Sequence, residues 1–155
     1  MGVTLVVTLG VALAGCSGSG SGSSGQDQGT ATASVPAATL PWTAPTKAQV
    51  AETAGLVFPA SVTAWRSVSL SPGELDVSFT ISRDEVAAFD SGSGLGLKAD
   101  ARVVAHASPL WELNVEGTYA GSSTEHGKVR RSVEVVTPTD PASPAQVRLV
   151  ITALP

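Results

Sequence analysis

The chain holds one cysteine, Cys16, in 155 residues. A single thiol closes no internal disulfide, so whatever folds here does so on its hydrophobic core alone. Positive charge is scarce: nine Lys and Arg stand against thirteen Asp and Glu, a formal net charge of −4. No basic stripe is available to displace the counterions of a nucleic acid, and that partner class is excluded. No apolar run approaches the ~20 residues that a membrane-crossing helix needs; the longest, residues 3–14, is about a dozen. Signature motifs are missing as well. There is no Gly-Lys-Ser/Thr phosphate loop, no His-Glu-x-x-His, no Gly-x-Ser-x-Gly elbow and no Ser-x-x-Lys. The two histidines, His106 and His126, sit in no short metal-ligand spacing. No catalytic residue, metal or cofactor is therefore expected, although a Ser/His/Asp group assembled across the fold is not visible to sequence.

What is present begins with an uneven chain. Up to Pro45 the only charged side chain is Asp27, and all nine bases lie at or beyond Lys47. The apolar run 3–14 has the length of a secretory leader's core. Leu13-Ala14-Gly15-Cys16 follows it, and a Gly/Ser-rich then Ala/Thr/Pro-rich stretch runs to Pro45. The four residues resemble the lipobox of bacterial lipoprotein precursors. Small residues at Ala14 and Gly15 suit a peptidase cleft, and a thiol is the nucleophile that takes up a diacylglyceryl group. The resemblance implies a signal peptide over 1–15, cleavage before Cys16, lipidation on its sulfur and acylation of the new amino group. At roughly 0.8 kcal/mol per buried methylene, two or three acyl chains would hold such a protein on the outer face of the cell membrane. Residues 16–45 then read as the lipidated Cys16 and a flexible tether, with an r.m.s. span of roughly 30 Å. Leaders of this type start with Lys or Arg, which "MG" does not supply, so the native start is expected upstream of Met1. Trp42 either touches lipid or docks on the folded part.

Residues 46–155 read as one α+β domain with an antiparallel sheet of five to six strands and two short helices on one face. Thr46 and Gln49 have capping-box spacing and Gly55 is a helix stop, predicting a helix over 47–54. Alternating runs over 62–70 and 75–82, joined by "SPGE", predict a hairpin with a type II turn. Ser82-Arg83-Asp84-Glu85 reads as a second capping box opening a helix to Phe89, closed by "SGSGLG". A short strand is expected near 102–107. The alternation of Trp111, Leu113, Val115, Gly117 and Tyr119 with polar residues predicts a one-sided strand over 111–119, and strands over 129–137 and 146–153 follow.

Candidate chemistry is thin. "SGSGLGLK" follows a helix and has Leu97 where the dinucleotide fingerprint needs a glycine, so it reads as a helix stop. Glu112 and Glu116, four residues apart on one strand face, would sit roughly 13 Å apart, beyond the 5–9.5 Å or so of hydrolytic carboxylate pairs. Asp84 and Glu85 favour the dipole of a helix's first turn. Arg131 is the oddest residue, a charge between Val129 and Val133 on an apolar face, with Arg66 a lesser case. It reads as an edge-strand arginine, a bulge or a partly buried ion pair, or alternatively as an anion or partner site. The layout "GLVFPASV…W", "FDSGSGL", "W…Y.G" and "VRRSVEVV" is similar to small surface lipoproteins of actinobacteria. Scarce Lys (three), Asn (one) and Ile (two) fit a GC-rich bacterial genome. The expectation is a membrane-anchored, non-catalytic binding or interaction module with a monomeric domain. The alternatives are an envelope hydrolase without a familiar motif, or an accessory subunit of an envelope complex.

Overall fold

The computed structural model describes residues 37–42 and 44–155. The leader over 1–15, Cys16 and the tether as far as residue 36 lie outside them. Among the described residues no helix is long and apolar enough to cross a membrane. The fold is α+β: a six-stranded antiparallel sheet with two short helices.

Helix α1, Lys47–Ala54, opens on the predicted box, with Thr46 and Gln49 satisfying each other's backbone N–H groups. Gly55 closes it in the left-handed conformation (φ 59°) that glycine adopts without a Cβ penalty. Strands β1 (Thr63–Ser71) and β2 (Glu74–Ile81) form the hairpin. Its turn is not type II, because Gly73 is absent from the positive-φ residues that such a turn demands. Gly73 serves close approach instead: a Cβ there would lie 2.7 Å from the carbonyl oxygen of Ala38. That N-terminal segment docks on the turn through Leu40 N–H to Pro72 O at 2.7 Å. Leu40 and Trp42 both pack against the core, so the packed unit begins before Thr46.

The second predicted box does not form. Ser82 makes no side-chain cap, and Arg83–Glu85 is a 3₁₀ turn leading into α2, Val86–Ser93, longer than expected. Ser61 does the capping from a distance: its hydroxyl accepts the Ser82 N–H at 2.9 Å and donates to the Glu85 carboxylate. Strand β3 is Lys98–Ala99, β4 Gly117–His126, β5 Val129–Pro138 and β6 Ala145–Ala153. The order across the sheet is β1-β2-β6-β5-β4-β3.

No strand forms over 102–107 or through 111–116; only an isolated bridge joins Ser108 and Trp111. The alternation there marks an extended chain lying with one side on the sheet. Trp111 is buried and Leu113 and Val115 half-buried, while Glu112, Asn114 and Glu116 are exposed. Period two reports one-sided burial, which a covering segment satisfies without a ladder partner.

The two faces of the sheet differ. Leu75, Val77, Phe79, Ile81, Val133, Val135, Val147, Leu149 and Ile151 form the main core with Val50 and Ala54 of α1 and Phe89 of α2. Phe58, Trp65, Phe79 and Phe89 make an aromatic cluster, the Phe58–Phe79 rings edge-on at 5.3 Å. Trp65 reaches it through an irregularity in β1 between Thr63 and Arg66, where Ala64 takes φ 51°, a left-handed conformation that costs a non-glycine residue about 1 kcal/mol. The opposite face is polar and lies under the covering segment that joins β3 to β4.

Candidate functional site

Register on the polar face sets charge against charge. Glu134 of β5 lies opposite Arg148 of β6, and Ser78 of β2 lies opposite Arg148 on its other side. Both charges are sealed from solvent, Glu134 at 0% and Arg148 at 1% exposure. Arg148 Nη1 donates to Glu134 Oε1 at 2.9 Å. The other carboxylate oxygen takes Arg102 Nε and the Val103 N–H, each at 3.1 Å. Glu134 is thus a buried anion with three donors, the condition under which a buried charge is tolerated.

That carboxylate pins the covering segment. Arg102 also donates to Leu113 O at 2.6 Å and lies 3.7 Å from the centre of the Tyr119 ring, a cation–π contact. Tyr119 in turn accepts the Val115 N–H at 2.9 Å and donates to Val115 O. Arg66 of β1 holds the segment from the far side, Nη2 to Leu110 O at 2.6 Å. Val104, Trp111 and Val150 make a small apolar cluster beneath it.

Two features of this face remain open to chemistry. One is a hollow of about 190 Å³ lined by Arg66, Ser78, Thr80, Trp111, Gln146 and Arg148 among others. Arg148, one of the lining residues, has Nε and Nη2 buried, without a hydrogen-bond partner among the described residues. The other is the group Glu74, Asp76 and His106, whose ligand atoms lie within 4.8 Å of one another. Asp76 is fully buried. His106 Nε2 stands 3.1 Å from Asp76 Oδ2 and 3.8 Å from Glu74 Oε1. Among the described residues these are the ones grouped closely enough to hold a divalent cation, and the Asp76–His106 contact satisfies the buried acid without one.

The residues singled out from sequence fall elsewhere. Arg131 (5% exposed) belongs to the helix-covered face, beside Val133 and opposite Ile151. Its guanidinium donates to Ala54 O at 2.6 Å, Gly55 O at 2.8 Å and Gly94 O at 3.3 Å, with Nε to Thr124 Oγ1 at 3.0 Å. It therefore clamps the C-terminal ends of both helices, where orphan carbonyls and the dipole favour a cation. Burial pushes its pKa down from the ordinary arginine value. The glycine-rich segment is absorbed in the same way, Gly94 capping α2 at φ 57°. His126 lies against Gly55, on the helix side and away from His106. Glu112 and Glu116 are both exposed on the covering segment. Cys16 lies outside the described residues. The sequence reading passed over Glu134, Arg148 and Asp76. A signal existed: in the hairpin around "TPTDPASP" Glu134 and Arg148 stand equally far from the turn, so opposite charges face each other across neighbouring strands.

Comparison with protein-family models, curated proteins and solved structures gives no match to this chain.

Proposed function

We propose that this protein is a lipid-anchored, extracytoplasmic binding module, held on the outer face of the cell membrane through Cys16 and offering the hollow between Arg66 and Trp111 to a ligand or envelope partner. Leu13-Ala14-Gly15-Cys16 behind an apolar run supports the anchor. What carries the binding role is the preformed hollow of about 190 Å³ on this face, lined by the Trp111 indole, Gln146 and the exposed Arg66.

Fatty-acid labelling in a bacterial host tests the anchor. Wild-type chain is expected to incorporate label, and Cys16→Ser to persist as an uncut, unlabelled precursor. Equal labelling of the two would end the lipoprotein reading. Crosslinking in intact cells, followed by identification of what is captured, tests the interaction role and separates a free module from an accessory subunit of a complex.

An envelope hydrolase is the second reading, favoured by one observation. Asp76 and His106 supply an oriented acid–imidazole pair, half of a nucleophile-activating group. Among the described residues no serine, threonine or cysteine side chain hydrogen-bonds to His106. Turnover of a simple ester such as p-nitrophenyl acetate, abolished by His106→Gln, would move the assignment to this class.

A further inference from the structure

We propose that Glu74, Asp76 and His106 form a binding site for a divalent transition-metal ion, with Zn²⁺ the ion whose chemistry fits them. The site goes beyond the binding-module reading and uses none of the residues that line the hollow. Sequence spacing does not announce it, because residues 74, 76 and 106 make no short ligand motif. The sheet assembles it. Glu74 and Asp76 are alternate residues of β2, so both side chains stand on the polar face, about 7 Å apart at the backbone. Leu75 and Val77, between and beyond them, go to the core. His106 comes from the covering segment, whose chain is held at that point by the Trp111 indole N–H on His106 O at 3.3 Å.

The separations are those of metal ligands. Zinc holds nitrogen and oxygen donors at about 2.0–2.2 Å, which puts two donors of one tetrahedral ion roughly 3.3 Å apart. Here His106 Nε2 is 3.1 Å from Asp76 Oδ2 and 3.8 Å from Glu74 Oε1, and all three donor atoms lie within 4.8 Å of one another. An imidazole with two carboxylates suits zinc and its first-row neighbours, whereas Mg²⁺ and Ca²⁺ prefer oxygen alone. Charge agrees, since two carboxylates and a neutral imidazole balance a divalent cation. The buried acid supplies a second argument. Glu134, on the same face, is a buried carboxylate with three donors. Asp76 is as deeply buried, yet among the described residues both its oxygens turn to one donor, Nε2, at 3.1 and 3.3 Å. That contact keeps the acid from being orphaned, but one N–H shared by two oxygens leaves most of their acceptor capacity unused. A cation in that place uses it. The way in runs through solvent-facing ligands: what lies on the Asp76 oxygens is the His106 imidazole, and the His106 and Glu74 side chains are 39% and 33% exposed. An ion meets these two first and reaches Oδ2 as the imidazole turns about its own side-chain bonds. Three protein donors leave a fourth position for water, as in zinc sites that stay open to an outside ligand.

The test uses the full 155-residue chain without an affinity tag, carrying Cys16→Ser so that the thiol takes up no metal. Zn²⁺, Ca²⁺ and Mg²⁺ are titrated by calorimetry. One Zn²⁺ per chain is expected, bound more tightly than either of the others. Zn²⁺ at about 100 times its Kd should raise the thermal midpoint by several degrees, and a chelator should return it. By NMR, Nε2 of His106 should shift on saturation while the ring nitrogens of His126 stay. Glu74→Gln and His106→Gln each remove a donor and should weaken Zn²⁺ by roughly tenfold or more, and His126→Gln should leave the affinity unchanged. Asp76→Asn should weaken it as much; if that variant fails to fold, the two half-exposed positions carry the test alone. No saturable Zn²⁺ binding, Ca²⁺ or Mg²⁺ bound as tightly, or Zn²⁺ affinity indifferent to both Glu74→Gln and His106→Gln overturns the assignment. So does an affinity lost with His126→Gln instead. Fatty-acid labelling and crosslinking test the anchored module separately, and neither result bears on the metal.

Discussion

Replacing Arg131 with methionine removes four hydrogen bonds and keeps most of the volume. Three carbonyls at the ends of α1 and α2, and the Thr124 hydroxyl, lose their donor. Hydrogen bonds to a charged donor contribute about 1.5–3 kcal/mol each. The Gly94 contact is long at 3.3 Å, and water reaches the part-buried Gly55 carbonyl once the side chain is gone, so the Ala54 and Thr124 contacts carry most of the loss, toward the lower end of that range. The loss expected is roughly 3–5 kcal/mol, much of the 5–15 kcal/mol or so available to a domain of this size. Guanidinium denaturation followed by tryptophan fluorescence measures it, because Trp65 sits in the aromatic cluster between the helices and the sheet. The midpoint should fall with an unchanged slope, the sign of lost stability without a change in unfolded surface. Arg131→Lys should recover about half, since one ammonium can reach some of these carbonyls. A loss under about 1 kcal/mol for methionine would refute the clamp and return Arg131 to the list of binding residues.

Glu134→Gln should cost about 3–5 kcal/mol by leaving Arg148 as an uncompensated buried charge, read as a drop in thermal midpoint larger than that of Arg102→Gln at the same carboxylate. Asp140 holds its carboxyl below the ordinary aspartate value through the Ser143 hydroxyl first and the Ala142 N–H second. A depressed pKa adds stability that is present above the unfolded value and lost as pH falls through the folded one. Denaturant midpoints measured from neutral to acid pH should therefore decline less steeply for Asp140→Asn than for wild type. Removing everything before Thr46 should leave a cooperative fold of lowered midpoint, because Leu40 and Trp42 lose their packing on the core, with a deletion ending before Ala37, which keeps both, as the comparison.

How much of this was legible depends on what each pattern reports. The ends of α1 were readable to the residue because Thr46, Gln49 and Gly55 act locally, each through its own backbone. Strands β2, β5 and β6 were readable because their core-facing residues are Val, Ile, Leu and Phe. Strand β4 escaped: its core-facing side is Ala120, Ser122 and Thr124, too small and polar to announce a strand. The alternation starting at Trp111 was real but belonged to a covering segment. Ser82 and Glu85 had the spacing of a box, and Ser61, far off in sequence, displaced it. The site was least legible for the same reason. Glu134, Arg148 and Asp76 stand on the polar side of their strands, where charge is ordinary, and only the cover formed by the segment after β3 turns them into buried groups.

The place of β6 has a consequence for how the chain acquires its structure. This strand follows every other element, yet it lies at the centre of the sheet, pairing with β2 on one side and β5 on the other. Until it inserts, the β1–β2 hairpin and the β4–β5 hairpin have no ladder between them, and each exposes an apolar edge. Closing β2 against β6 spans α2, β3, β4 and β5, a pairing of high sequence separation that makes the search slow. A chain threading N-terminus first through a membrane channel would bring out every element from α1 to β5 before its sheet could close. Its folding waits on β6, so the half-made sheet stays exposed to proteases and to neighbouring chains until that strand arrives.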